Sequence, residues 1–152
     1  LARNVNLRAA YKYFDIRTDY KNGELQKPIQ PQNRFFANLS YETEINDENS
    51  QWKLDLTFNN IGEQRLPNTS SNPVQYQLPE FSKQYQLLNG QITKVFSEKF
   101  EIYAGGENLT NVQQNNPILA SDNPFGPNFD STIIYAPVFG RAIYAGLRFK
   151  IK

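Results

Sequence analysis

Residues 141–151 alternate between two kinds of side chain, in the order Arg-Ala-Ile-Tyr-Ala-Gly-Leu-Arg-Phe-Lys-Ile. The apolar positions are Ile143, Ala145, Leu147, Phe149 and Ile151, and the positions between them are Tyr144, Gly146, Arg148 and Lys150. Successive side chains of a β-strand point to opposite faces, so this period of two predicts a strand with one apolar and one polar face. A slip of one residue would exchange the two faces, which makes the register decisive.

The same alternation recurs upstream along most of the chain. The predicted strands span about 4–18, 34–45, 51–64, 84–96, 99–111 and 141–151. No helical period of 3.6 residues competes with it over a comparable window. A tilted strand needs about 9–11 residues to cross a bilayer, and these segments are long enough. The pattern therefore predicts an all-β, antiparallel protein whose strands have the length of membrane-spanning strands.

The connections between the predicted strands alternate between long and short. Long connections span 19–33, 65–83 and 112–140, whereas 46–50 and 97–99 are short. Compact soluble domains rarely carry three such loops, because most connections have about 4–6 residues. Transmembrane barrels have short periplasmic turns and long extracellular loops. This order predicts a transmembrane antiparallel β-barrel with a periplasmic C-terminus.

Aromatic residues lie near both ends of the predicted apolar faces. Tyr11, Tyr13, Phe35 and Phe58 are near the ends that carry long loops, and Trp52, Phe96, Phe100 and Phe149 are near the short turns. Aliphatic residues occupy the middle. Lipid-facing barrel surfaces carry aromatic girdles at both interfaces, so we predict that these eight residues form the girdles.

The composition of the chain excludes several classes of function. The chain has 152 residues, of which 39% are hydrophobic and 14% aromatic, with 18 Asn and 12 Gln. Its net charge of +1 gives no basis for nucleic-acid binding. Neither His nor Cys occurs, so the most common general base, thiolate nucleophile and soft metal ligands are missing. We therefore expect no enzymatic activity, cofactor or metal site.

Six strands are too few to close a membrane barrel, since bacterial barrels start at eight strands. Open edges are not tolerated in lipid, because their backbone groups would lack hydrogen-bond partners. The six strands are therefore expected to be incomplete on their own, with the rest of the wall supplied by residues outside this sequence.

Two segments near the end of the chain resemble a known family. Residues 107–111 read Glu-Asn-Leu-Thr-Asn, and residues 140–150 read Gly-Arg-Ala-Ile-Tyr-Ala-Gly-Leu-Arg-Phe-Lys. This order is similar to the C-terminal end of TonB-dependent outer-membrane receptors. The intervening segments 123–127 and 130–137 resemble receptors of the Bacteroidetes type. The terminal Lys150-Ile151-Lys152 departs from the family, since many outer-membrane proteins end in an aromatic residue.

The resemblance implies that the chain is the last part of a 22-stranded barrel whose plug domain lies upstream. It implies a location in the bacterial outer membrane and TonB-dependent uptake of a scarce ligand such as a siderophore, haem, cobalamin or glycan. The implied partners are the lipid bilayer, the remaining barrel and plug, TonB through the absent N-terminal part, and the barrel assembly machinery. Whether a surface lipoprotein caps the barrel stays open.

The loop 112–140 is the best candidate for ligand binding, because loops of 29 residues commonly bind ligand or gate access. The candidate ligand-binding residues within it are Asp122, Asn123, Phe125, Phe129, Asp130 and Tyr135. Its aromatic rings could stack on a sugar or chelate, or they could anchor the loop against its neighbours. The Asp and Asn residues match no calcium-loop template and are more typical of turns.

Two other interpretations remain open. A soluble β-sandwich, either a carbohydrate-binding module or an adhesin, would stack its apolar faces against each other and fold without detergent. A barrel that does not transport, such as a diffusion porin or an anchor in a larger assembly, would lack a plug domain upstream.

Overall fold

A computed structural model describes residues 4–21, 23–46 and 49–151. These residues form β-strands and loops, with one short 3₁₀ turn at Val74–Tyr76 as the helical element. The strands are β1 (Val5–Tyr13), β2 (Arg17–Tyr20), β3 (Gly23–Gln26), β4 (Asn33–Glu42), β5 (Gln51–Ile61), β6 (Tyr85–Ser97), β7 (Phe100–Glu107) and β8 (Ala142–Phe149).

Six of these strands form one sheet in the order β1-β4-β5-β6-β7-β8, and every pair is antiparallel. The prediction of an all-β, antiparallel protein is confirmed. The sheet is open, with β1 and β8 at its edges, so the six strands do not close into a barrel.

The first strand is shorter than predicted, because the segment 4–18 leaves the sheet after Tyr13. The amide of Phe14 still donates to the carbonyl oxygen of Gln32 at 2.8 Å, and then the chain bends. Residues 17–20 instead pair with 23–26 as a separate two-stranded hairpin, β2–β3, within a region predicted as loop. Gly23, with a φ of 117°, supplies the backbone conformation that this tight turn requires.

The strand predicted at 99–111 ends at Glu107. Asn108 has a φ of 49°, and its side chain accepts from the amide of Val112 at 2.9 Å and donates to the Val112 carbonyl at 2.8 Å. Asparagine tolerates this left-handed conformation and replaces the lost ladder hydrogen bonds with its own amide, so the strand gives way to a turn.

The register places an apolar set of side chains from each of the six strands on the same face of the sheet. One continuous cross-strand row illustrates this: Leu7, Leu39, Leu56, Gly90, Gly106 and Ile143 are successive partners. The opposite face is mainly polar, as the parallel row of Asn6, Ser40, Asp55, Gln91, Gly105 and Tyr144 shows, although Phe36, Ile61, Leu87 and Val95 also belong to it. The sheet thus has one apolar and one polar surface, as the alternation predicts.

The buried apolar core of the described residues lies at the loop end of the sheet and not on its apolar face. The buried apolar side chains are Ile61, Leu66, Ala120, Ile133 and Ala136, and Pro31 is buried almost completely. Apart from Ile61, at the end of β5, they belong to the long connections. The long loops therefore pack together as a layer of their own.

Candidate functional site

The apolar face of the sheet is exposed across its whole width. Leu7 near one edge is 51% exposed, Ile92 in the middle is 46% exposed, and Leu147 near the other edge is 67% exposed. Among the described residues, no second layer of strands covers this face. Soluble monomers rarely expose contiguous apolar patches of more than a few hundred Å². This face therefore has the character of a contact surface.

The eight aromatic residues predicted as girdles all belong to this face, in two groups. Near the short turns, the ring of Phe100 lies 5.6 Å from that of Phe96 and 6.4 Å from that of Phe149, centroid to centroid. Trp52 is the cross-strand partner of Lys94, two residues before Phe96. Near the long loops, Phe35 and Phe58 are 6.3 Å apart, Tyr11 is the cross-strand partner of Phe35, and Tyr13 follows along β1.

The two aromatic groups are separated by an aliphatic band. Trp52 and Phe58 are six positions apart on β5, about 20 Å along the strand at roughly 3.3 Å per residue. The two aromatic groups therefore lie towards opposite ends of the strands.

Charged groups on the polar face are paired across strands. Lys53 Nζ lies 3.5 Å from a carboxylate oxygen of Glu42, and Arg148 pairs with Glu101. The buried side chain of Asn38 donates to Asp55 at 3.1 Å and to Thr57 at 3.0 Å. These contacts link strands in the manner of a solvated wall. In the described part of the chain, no three acidic residues cluster as potential metal ligands.

The six candidate ligand residues of the loop 112–140 do not form one cluster. Asp122 accepts a hydrogen bond from the hydroxyl of Tyr76 at 2.7 Å, which ties this loop to the loop 65–83. Asp130 caps its own turn, accepting from the amide and the hydroxyl of Thr132 at 2.7 Å each. Both carboxylates therefore have structural partners within the loops.

The remaining candidates differ in their surroundings. Asn123 belongs to a turn, where its carbonyl accepts from the amide of Gly126 at 2.9 Å, and Phe125 is fully exposed at 100%. Phe129 is also exposed. Tyr135 lies at the other end of the loop, where its carbonyl accepts from Gln64 at 2.8 Å and from the hydroxyl of Tyr85 at 3.1 Å.

The residue that holds the long loop in place is Gln114, which sequence reasoning missed. Its buried side chain donates to the carbonyl of Ile133 at 2.7 Å and accepts from the amides of Tyr135 at 2.9 Å and Ala136 at 3.2 Å. One glutamine among many in a polar loop carries no pattern that would single it out.

The two larger openings near the long loops are a cavity and a cleft. A cavity of about 680 Å³ lies between the loops 65–83 and 112–140, and its lining includes Phe81, Tyr85, Gln114 and Tyr135. Of the six candidate residues, Tyr135 alone lines this cavity. A cleft of about 560 Å³ on the strands below is lined by Lys12, Arg34, Asn59 and Tyr85, among others. Both volumes fall in the range of small-molecule sites, and both linings mix aromatic rings with hydrogen-bonding groups.

Comparisons with protein-family models, with curated proteins and with solved structures find no match for this chain. Within the described ranges, no helix is both long and apolar enough to cross a membrane. The fold and site on their own define an all-β antiparallel sheet with one exposed apolar face and a packed layer of long loops.

Proposed function

We propose that this chain is a wall segment of an outer-membrane β-barrel, namely the last six strands and the extracellular loops of a TonB-dependent receptor. The observation that carries the proposal is the apolar face, which extends across all six strands and is exposed. Lipid is the partner that suits such a face, because it accepts apolar side chains over an area far larger than a soluble monomer exposes.

The pairing pattern supports the same proposal. Within the sheet, each interior strand has hydrogen-bonded neighbours on both sides. In lipid, the free edges of β1 and β8 would require partner strands, since unpaired backbone groups are costly there. In the proposed receptor, further strands of the barrel occupy both edges. A soluble β-sandwich is less well supported, because in the described chain only the small β2–β3 hairpin stands outside the main sheet.

The arrangement of loops gives the proposed orientation. The three long connections, β1 to β4, β5 to β6 and β7 to β8, emerge at one end of the sheet, and the two short ones at the other. By the rule for outer-membrane barrels, the long loops face outside and the C-terminus faces the periplasm.

In this receptor, the packed loops would contribute to the mouth that captures the ligand. The cavity of about 680 Å³ between the loops suits a small organic ligand with hydrogen-bonding groups. Transport would then depend on the plug and on TonB, through parts of the receptor outside this sequence. The activity is binding and translocation, with no bond made or broken.

Surface labelling tests the proposed location and orientation. The chain has no cysteine, so single Phe125→Cys and Glu98→Cys variants carry one thiol each in this segment. A membrane-impermeant maleimide should label Phe125→Cys on intact cells, and should label Glu98→Cys only after the outer membrane is permeabilised. Equal labelling of both on intact cells, or of neither, would contradict the proposed topology.

Uptake assays test transport itself. Cells that make the protein are compared with cells that lack it for uptake of a labelled ferric chelate, haem, cobalamin and an oligosaccharide. Uptake of one of these that disappears when TonB is deleted is expected. Uptake that does not depend on TonB would indicate a diffusion pore, and uptake of none would indicate an anchor without transport.

A further inference from the structure

One charged residue interrupts the apolar face. Among the described strand residues of that face, Lys94 in β6 is the one side chain that is charged at neutral pH. Its cross-strand partners are Trp52 on β5 and Ile102 on β7. A charge on a lipid-facing surface is costly unless it reaches a polar partner, so an isolated lysine there indicates a function.

Two aromatic rings surround this ammonium group. Lys94 Nζ lies 5.0 Å from the ring centroid of Trp52 and 5.9 Å from that of Phe96, both within the range of cation–π contacts. The four ion pairs of the described residues do not include Lys94. Within the described ranges, the neighbours of this positive charge are therefore aromatic rings, and no carboxylate pairs with it.

Lys94 lies near the end of β6, so its ammonium group can reach the membrane–water interface of the proposed barrel. Lys94 is two residues from Phe96, whose ring stacks on Phe100 near the short turn, and it is level with its cross-strand partner Trp52. It therefore lies about 7 Å along the strand from Phe96, at roughly 3.3 Å per residue. A lysine can extend its four-carbon stem along apolar surface and hold its ammonium in the polar zone. Tryptophan is itself enriched at that zone.

We propose that Trp52, Lys94 and Phe96 form a binding site for the headgroup phosphate of an anionic phospholipid in the periplasmic leaflet. The inference rests on the proposed function, because it requires the apolar face to contact lipid. The Lys94 ammonium supplies the charge and the hydrogen-bond donors for a phosphate oxygen. The two rings orient the ammonium, and the acyl chains lie on the aliphatic band beyond them.

Trp52 is the only tryptophan of the chain and lies within the proposed site, so it reports directly on the bound lipid. The protein is reconstituted into vesicles of phosphatidylcholine with phosphatidylglycerol, and either lipid is supplied with brominated acyl chains that quench indole fluorescence. The signal of Trp52 is taken as the difference between the protein and its Trp52→Phe variant. We expect brominated phosphatidylglycerol to be enriched about fivefold over brominated phosphatidylcholine beside Trp52.

Three variants test which charge is responsible. Lys94→Gln should abolish the preference, and Lys94→Arg, which keeps a cation, should retain it. Lys53→Gln is the matched control, because Lys53 neighbours Trp52 along β5 but belongs to the polar face. A preference that survives in Lys94→Gln, or that is lost equally in Lys53→Gln, would overturn the site.

The outcomes separate this inference from the proposed function. Quenching of Trp52 by both brominated lipids with no preference would overturn the phosphate site. It would still agree with the proposal that the apolar face contacts lipid. Quenching by neither lipid would overturn the wall as well. A preference that added inorganic phosphate removes would show a general anion site and overturn the assignment to lipid.

Discussion

Two tyrosines on the polar face lie over glycines of the neighbouring strand. Tyr103 and Gly146 are direct cross-strand partners, and so are Gly105 and Tyr144. The rings of the two tyrosines meet edge to face at 6.3 Å, and the guanidinium carbon of Arg148 lies 5.8 Å from the ring centroid of Tyr103. The two glycines leave room for these rings, since a Cβ atom at Gly105 would overlap Tyr144 and one at Gly146 would overlap Tyr103.

Substitution of Gly146 by alanine should therefore be costly. A Cβ atom at this position would come to 2.5 Å from Cζ of Tyr103, so the ring must move. We expect Gly146→Ala to destabilise the protein by about 1–3 kcal/mol, the usual cost of overpacking. Denaturant unfolding in lipid vesicles measures this cost. In a Tyr103→Ala background the ring is absent and the cost should fall; an unchanged cost there would contradict the account.

The hydrogen bond between Tyr76 and Asp122 makes one loop contact sensitive to pH. This bond raises the pKa of Tyr76 above its ordinary value of 10.0, with smaller contributions from burial and from the Asp122 charge. Because the pKa is higher in the folded protein, the contribution to stability is complete below about pH 10. It is lost as the pH rises through the folded pKa.

We predict that Asp122→Asn brings the pKa of Tyr76 down towards 10.0. The titration is followed by the ultraviolet absorbance of tyrosinate, as the difference between each protein and the same protein carrying Tyr76→Phe. Asp130→Asn is the control, because Asp130 bonds within its own turn and should leave the pKa of Tyr76 unchanged. An equal shift in both variants would show that the loop charges act at long range.

At the scale of elements, alternation in the sequence was sufficient to identify the main strands and their faces, because successive side chains of a strand point to opposite faces. The ends of the strands depended on other contacts. The first strand stops at Tyr13 because residues 17–20 find a partner in 23–26, and a hairpin of two four-residue strands is too short to show a clear period. Asn108 ends β7 through its own side chain.

The candidate site in the loop 112–140 was harder to predict, because it too depends on contacts between distant residues. Composition and length identify the loop 112–140 as a functional candidate, but its internal contacts join residues far apart in sequence. Gln114 and Tyr135 are one example, and Tyr76 and Asp122 are another. Such pairs follow from how three loops pack on one another, and a single sequence contains no periodic signal for that packing.

The apolar face allows a direct test on one strand. Leu39 and Ser40 are neighbours in β4 and belong to opposite faces of the sheet. We predict that Leu39→Lys destabilises the protein in vesicles by about 2–4 kcal/mol, because a cation near the middle of a lipid-facing band is poorly solvated. Ser40→Lys should have little effect. Urea unfolding followed by fluorescence measures both, and equal costs would show that Leu39 does not face lipid.

The loop anchor gives a second prediction at this scale. Gln114→Ala removes three hydrogen bonds and leaves the amides of Tyr135 and Ala136 without their acceptor. We expect local opening to become easier by about 1–3 kcal/mol, with faster hydrogen exchange at these two amides. Gln113→Ala is the matched control, because its side chain does not contribute to this anchor. Unchanged exchange in Gln114→Ala would show that other contacts hold the loop.

For the whole molecule, the sheet and the loop layer have different properties. The loops have a buried core and hydrogen bonds that join them to one another, whereas the sheet leaves one apolar face and two edges without partners in the described chain. A barrel wall in lipid accounts for all three features together. In the proposed barrel, lipid would cover the face, neighbouring strands would pair with the edges, and the packed loops would form the outer surface.

The most direct test of this account is the accessibility of nitroxide spin labels along β5 in a lipid bilayer. Labels are attached singly to cysteine variants of Lys53, Leu54, Asp55, Leu56, Thr57 and Phe58. We predict that labels at Leu54, Leu56 and Phe58 collide readily with oxygen and rarely with a water-soluble nickel reagent, with a period of two along the strand. Labels at these three positions that are shielded from both reagents, or equally open to nickel on both faces, would contradict a lipid-facing wall.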